Sequence, residues 1–189
     1  MMKKLLVSLT WILLASVSLF ATDYKLDKAH SQVGFKIKHM MISTVNGSFG
    51  TYDGVISYDT EHNKLTQLKG TVSLDSINTQ NQKRDKHLRS EDFFDVIKHP
   101  KMDFVMTRVS GQNLIGDLTI KGVTKSVMFA LDFGGTLTDP WGNKRIGLTL
   151  TTEIKRSDFG LTWNKALETG GVVVADDVKI ILELEGVAK

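Results

Sequence analysis

Between Gln82 and Asp95 the chain reads QKRDKHLRSEDFFD, and the residues able to do chemistry crowd into this block. Arg84, Asp85, His87 and Arg89 fall within six residues. Such a set can bind its own members as an ion network that caps one end of a fold, or turn toward a ligand and orient a polar head group. Asp85, His87 and Ser90 are also the residue types of a nucleophilic triad. Their local spacing carries no hydrolase signature and no nucleophile elbow accompanies them, so no catalytic residue is assigned. His30, His39, His62, His87 and His99 show neither HxH nor HExxH spacing, and cysteine is absent, so no metal site and no cofactor are expected. His39 stands apart, at the end of an apolar face. A histidine there is either a satisfied rim residue or a hydrogen-bonding partner for a ligand's polar end.

The elements that must position these residues are strands. HSQVGFKIKHMMI, from His30, places Val33, Phe35, Ile37 and His39 on one face and Gln32, Lys36 and Lys38 on the other, the period-two pattern of a half-buried strand. Asn46-Gly47 offers a tight hairpin turn, and the alternation slips between Gly50 and Gly54, which predicts a bulge or bend. LKGTVSLDSI, MDFVMTRV, NLIGDLTIKG, KSVMFALDF, RIGLTLTTEIKRSDFG and DVKIILELEGV alternate in turn, separated by short turn sequences such as DPWGN. That makes about eight strands in succession. Ser90, followed by Glu91 and Asp92, reads as the cap of a short helix, so the charged block is an interruption between strands three and four. The fold class is all-β, a sandwich or an up-and-down barrel, with the one-sided alternation favouring a single sheet curled around one interior.

Eight strands enclose an interior that side chains just fill or that holds one small ligand. The expected inward set is Val33, Phe35, Ile37, Phe49, Val72, Leu74, Phe104, Met106, Leu118, Ile120, Phe129, Leu131, Leu148, Leu150 and Ile180, large and uncharged. Pattern alone leaves two readings open: an ordinary packed core, or a hollow tube favoured by the length of the strands. Phe93 and Phe94 are a hydrophobic plug that packs the helix onto the barrel and, by the same geometry, lines any pocket beneath it.

The ends of the chain bear on where it works. MMKKLLVSLTWILLASVSLFATD has two lysines, an uncharged run from Leu5 to Phe20 and then small residues, the layout of a cleaved secretory signal peptide over residues 1–21. Taking 21 residues from 189 leaves 168, residues 22–189, the size of one domain. Losing Lys3 and Lys4 takes the cations from 24 to 22 against 21 acids, a charge balance that points to no nucleic acid. The expectation is a soluble periplasmic protein that depends on its core, because disulfides are excluded.

HSQVGFKIKH (30–39), SIN followed by RDKHL (84–88), DFFDVIKHPKMDF (92–104), GDLTIKGVTK (116–125) and KRSDFG (155–160), taken together and in this order, resemble the YceI family of periplasmic polyisoprenoid-binding proteins. The resemblance spans nearly the whole exported chain. It implies an extended eight-stranded antiparallel lipocalin-like barrel, with short helices between strands three and four, a long apolar pore and no catalytic step, and so moves the interior toward the hollow reading. The implied pore residues are Val33, Phe35, Ile37, Phe49, Val72, Leu74, Phe93, Phe94, Phe104, Met106, Leu118, Phe129, Leu131, Leu148 and Leu150; the implied polar mouth is His39, Arg84, Asp85 and His87. Leu88, Arg156 and Phe159 also fall on matching motifs. Ser126 stands where a proline is often found after the GVTK segment. The implied ligand is a polyisoprenoid, quinone or fatty-acid-like lipid, with transient membrane contact and a homodimer as further expectations about partners.

Overall fold

The computed structural model describes residues 21–168 and 170–188. The strands are β1 (Ala21–Leu26), β2 (Gln32–His39), β3 (Ser43–Phe49), β4 (Tyr52–Asp59), β5 (Lys64–Ser73), β6 (Ile77–Asn78), β7 (Lys101–Ser110), β8 (Asn113–Ile120), β9 (Val123–Thr138), β10 (Lys144–Lys155) and β11 (Val174–Ala188), with helix α1 (Gln82–Arg89) between β6 and β7. These segments build eight antiparallel staves. β1 and β2 lie end to end along β11, pairing through Tyr24–Ala188 and through Val33–Leu182. β4 pairs with β1 and β3 with β2, while β5 and β6 continue the order on β4 and β3. β7 to β11 then follow as a meander, and the β1–β11 pairing closes the ring. The first three staves are therefore each broken, at 27–31, at Gly50-Thr51 and at the 3₁₀ turn Leu74–Ser76. The middle break is the bend expected from the slipped alternation.

Three local expectations change. β1 begins well before His30, because Tyr24 and Leu26 alternate inward into the core. Asn46-Gly47 lies inside β3, paired with Lys36 and Phe35, and the hairpin turns instead at Met40–Ile42. The reason is packing: a Cβ on Gly47 would come within 2.3 Å of the Phe35 ring, so this glycine serves a close side-chain approach rather than a turn. Helix α1 is capped by Asn81, whose side chain accepts from the Arg84 N–H at 3.0 Å, and Ser90 ends the helix rather than starting one. The apolar leader of residues 1–20 lies outside the described residues.

The barrel has two unlike ends. Toward the β9–β10 turn it is filled by Tyr24, Ile56, Tyr58, Leu65, Leu114, Ile146, Leu148 and Leu150, all buried. Tyr58 stacks on Phe133 with ring centroids 5.0 Å apart. On the outside of this end Arg145 donates to Asp139 at 2.7 Å, to Asp27 at 2.9 Å and to Glu185 at 2.5 Å, tying β10 and β11 to the β1–β2 junction. Toward α1 the interior is open.

Candidate ligand-binding site

The open half is a cavity of about 790 Å³, toward the upper part of the ~300–1,000 Å³ range of small-ligand sites. Its walls are apolar. β2 contributes Val33, Phe35 and Ile37; the next staves add Phe49, Val72, Phe104, Leu118, Ile120 and Phe129; and β11 adds Val178, Ile180, Leu182 and Leu184. Two glycines keep the lumen wide. The Phe35 ring lies against Gly47 and the Phe104 ring against Gly116, each within 2.3 Å of where a Cβ would stand, so both rings lie along the wall. Phe104 meets Phe129 edge-on at 5.3 Å, which fixes its orientation.

The segment that follows α1 forms a lid over part of the mouth. Phe94 meets the wall residue Phe49 edge-on at 6.2 Å. Phe93, His87 and Trp163 form a three-ring group with centroid separations of 4.8 to 5.2 Å. Trp163 is positioned by Arg156, whose buried guanidinium donates to the carbonyls of Ala175 at 2.8 Å, of Trp163 at 2.9 Å and of Leu161. Burial pulls this arginine below its usual pKa, and the carbonyls take the place of a carboxylate partner.

Three charges of the opening block, Arg84, Asp85 and Arg89, are spent on the segment around β6. Arg84 donates to the Thr79 hydroxyl and carbonyl, both at 2.7 Å, and Asp85 accepts from the Thr79 N–H at 2.9 Å and hydroxyl at 2.5 Å. Arg89 donates to the carbonyls of Asp75 and Ile77 at 2.7 and 2.8 Å. Together they pin α1 to β6. Asp85 is thus turned away from the cavity and belongs to the clamp, a correction to its expected place at the mouth. His39, Arg84 and His87 do line the cavity, joined by Lys38, Lys83 and Lys86. His87 Nε2 meets Asp92 at 2.9 Å and the Ser90 hydroxyl donates to the His87 carbonyl at 2.8 Å, so Ser90 and the His87 ring are not aligned as nucleophile and base.

Of the expected pore residues, Val33, Phe35, Ile37, Phe49, Val72, Phe93, Phe94, Phe104, Leu118 and Phe129 stand on the cavity wall. Leu74, Met106, Leu131, Leu148 and Leu150 do not. Leu148 and Leu150 pack the filled end, Leu74 is wholly buried in the 3₁₀ turn, and Met106 and Leu131 pack against the core away from the lumen. Trp163, Leu161, Thr79 and Leu26 were missed. Trp163 and Leu161 sit in a loop without periodicity, and Thr79 acts only through the clamp, so nothing in their spacing marks them. Among the described residues, Asp27, His30 and Glu185 approach one another closely enough to hold a cation, but Arg145 already donates to both acids.

Residues 24–186 match the model of the YceI-like domain. The chain belongs to the YceI family. It is 42% identical over 161 residues to a UPF0312 protein of Staphylococcus aureus, covering 84% of this chain and 93% of that one. A Staphylococcus epidermidis relative is 41% identical with the same coverage. The YceI protein of Campylobacter jejuni superposes with a TM-score of 0.70 at 38% identity, over 87% of this chain and 96% of that structure. A polyisoprenoid-binding domain from Saccharophagus degradans shares the fold at 16% identity and a TM-score of 0.64, over 88% and 98% of the two chains. This YceI chain is thus an eight-stranded barrel of its family, hollow at one end.

Proposed function

We propose that this protein is a binding protein rather than an enzyme, and that it holds one long-chain amphiphile of the polyisoprenoid or quinone class for transport, storage or sequestration. The observation that carries the reading is the 790 Å³ cavity, walled by apolar side chains at one end and rimmed by His39, Lys38, Lys83, Lys86 and His87 at the mouth. A chain burying about 20 carbons gains on the order of 16 kcal/mol at ~0.8 kcal/mol per carbon. That exceeds the ~4–15 kcal/mol cost of association, so apolar area is sufficient for affinity. Supporting it, a domain of the same fold is a polyisoprenoid-binding one. We read the apolar leader of residues 1–21 as an export signal, and in a periplasm such a lipid needs shielding from water between membranes.

Trp163 supplies the test, because it stands in the lid above the cavity and a quinone quenches indole emission. Titrating a long-chain quinone should quench the emission saturably at one per chain, and Trp163→Phe should remove most of the response while Trp141, at the far end, contributes little. A response that is linear, or unchanged in Trp163→Phe, rejects the reading.

A further inference from the structure

We propose that the β2–β3 hairpin tip, Met40–Met41–Ile42, docks the mouth of the cavity on the surface of an anionic phospholipid bilayer. The first observation is a conflict between local chemistry and sequence. Met40 and Met41 have φ of +50° and +63°, the left-handed region that favours glycine, asparagine or aspartate. The chain places bulky methionines there, keeps Asn46-Gly47 for a strand interior, and leaves Met40, Met41 and Ile42 39, 63 and 85% exposed. Most of the surface of Met41 and Ile42 is thereby left to solvent. Local rules are broken in this way where a site needs the residue for something else.

The second observation is place. The Met40 N–H donates to the Val173 carbonyl at 2.9 Å, and Val173 lines the cavity. Ile97, 92% exposed, projects from the segment before β7 at the same end of the barrel. The third is charge. Lys38, Lys83 and Lys86 stand at the mouth, while Asp92 in the lid is bonded to His87. Asp53 and Asp103, the acids of the cavity lining, belong to the β4–β5–β7 wall, where Asp103 accepts from Thr71 at 2.6 Å. Apolar tips flanked by lysines fit a headgroup layer that carries negative charge. The inference rests on the lipid-carrier reading only for its purpose: a cargo insoluble in water then passes between bilayer and cavity without crossing solvent.

Flotation with phosphatidylglycerol–phosphatidylethanolamine vesicles tests it. The protein should float with these vesicles, less so as salt is raised. The double variant Met40→Asn/Met41→Gly suits the turn and should unfold at a higher temperature than the wild type, yet lower the vesicle-bound fraction about tenfold, as should Ile42→Glu. Trp141→Ser, at the filled end, should float as the wild type does. The proposal is overturned if the wild type fails to float, if the hairpin variants float unchanged, if Trp141→Ser is the variant that fails, or if the hairpin variants change only the oligomeric state. Quinone quenching in detergent is measured on the same variants and should stay as in the wild type. Loss of vesicle binding with intact quenching therefore isolates docking, and vesicle binding without any quenching would reject the cargo while leaving the docking surface in place.

Discussion

Phe104 and Phe35 have the same device, a ring whose tip packs against a glycine of the neighbouring strand, and the two glycines differ in what an added methyl would meet. At Gly47 the clash is with the far end of the Phe35 ring, which faces the cavity and can turn into it. Gly47→Ala should leave stability within about 1 kcal/mol of the wild type and shorten the chain the cavity accepts, read from denaturant unfolding and from quinone homologues of increasing length. At Gly116 the added atom also comes within 2.6 Å of the Val105 carbonyl oxygen, which cannot step aside. Gly116→Ala should therefore cost about 1–3 kcal/mol. Phe104→Glu places a carboxylate on an apolar wall where it lacks a partner. It should abolish lipid retention; retention with the fold intact would count against the cavity as the lipid's place.

At the scale of the element, the lid is held by hydrogen bonds and not by its own helical propensity, since eight residues are too few for an independent helix. Asp85→Ala leaves the Thr79 N–H and hydroxyl buried without acceptors, which costs about 1–3 kcal/mol. Hydrogen exchange should show α1 and the Phe93–Phe94 segment opening faster in this variant while β8 to β11 stay protected. Most strands of this molecule were legible in the sequence because they bury one face, as Val33, Phe35 and Ile37 announce by period two, whereas β1 was not and β4, buried from Ile56 to Asp59, does not alternate there. The lid was legible as an interruption but not as a mechanism. The spacing of Arg84, Asp85 and Arg89 says that they are close in sequence, whereas their partners, Thr79 and the carbonyls of Asp75 and Ile77, are fixed by where β6 ends. The division into a filled and a hollow end was hidden for a related reason: Leu148 and Phe35 share the same inward phase and differ only in height along the barrel.

At the scale of the whole molecule, the filled end supplies the stability and the open end the site, and the Arg145 network gives the filled end a pH dependence. Hydrogen bonds from His30 and Arg145 hold the Asp27 carboxyl at about 2. Burial pushes Asp139 up, but the bonds from Arg145, Asn143 and the Trp141 N–H outweigh it and hold this carboxyl well below the usual range. Carboxyls depressed in the folded state stabilise it above their unfolded value near ~3.9 and lose that contribution as pH falls through the folded value. His30, raised by Asp27, has the opposite sign: its smaller, solvent-screened contribution is full below ~6.5 and is lost as pH rises past its folded value. The melting temperature should thus drop from about pH 5 toward pH 2, and Arg145→Gln should flatten that slope. An equal slope in the variant would place the acid sensitivity elsewhere.

The central claim is that the open end holds a lipid, and native mass spectrometry of the protein purified from its own cells, followed by solvent extraction, tests it most directly. The account predicts one long-chain isoprenoid or quinone-type lipid per chain, lost in Phe104→Glu. A protein that emerges empty and also fails to take up added isoprenoids would contradict it.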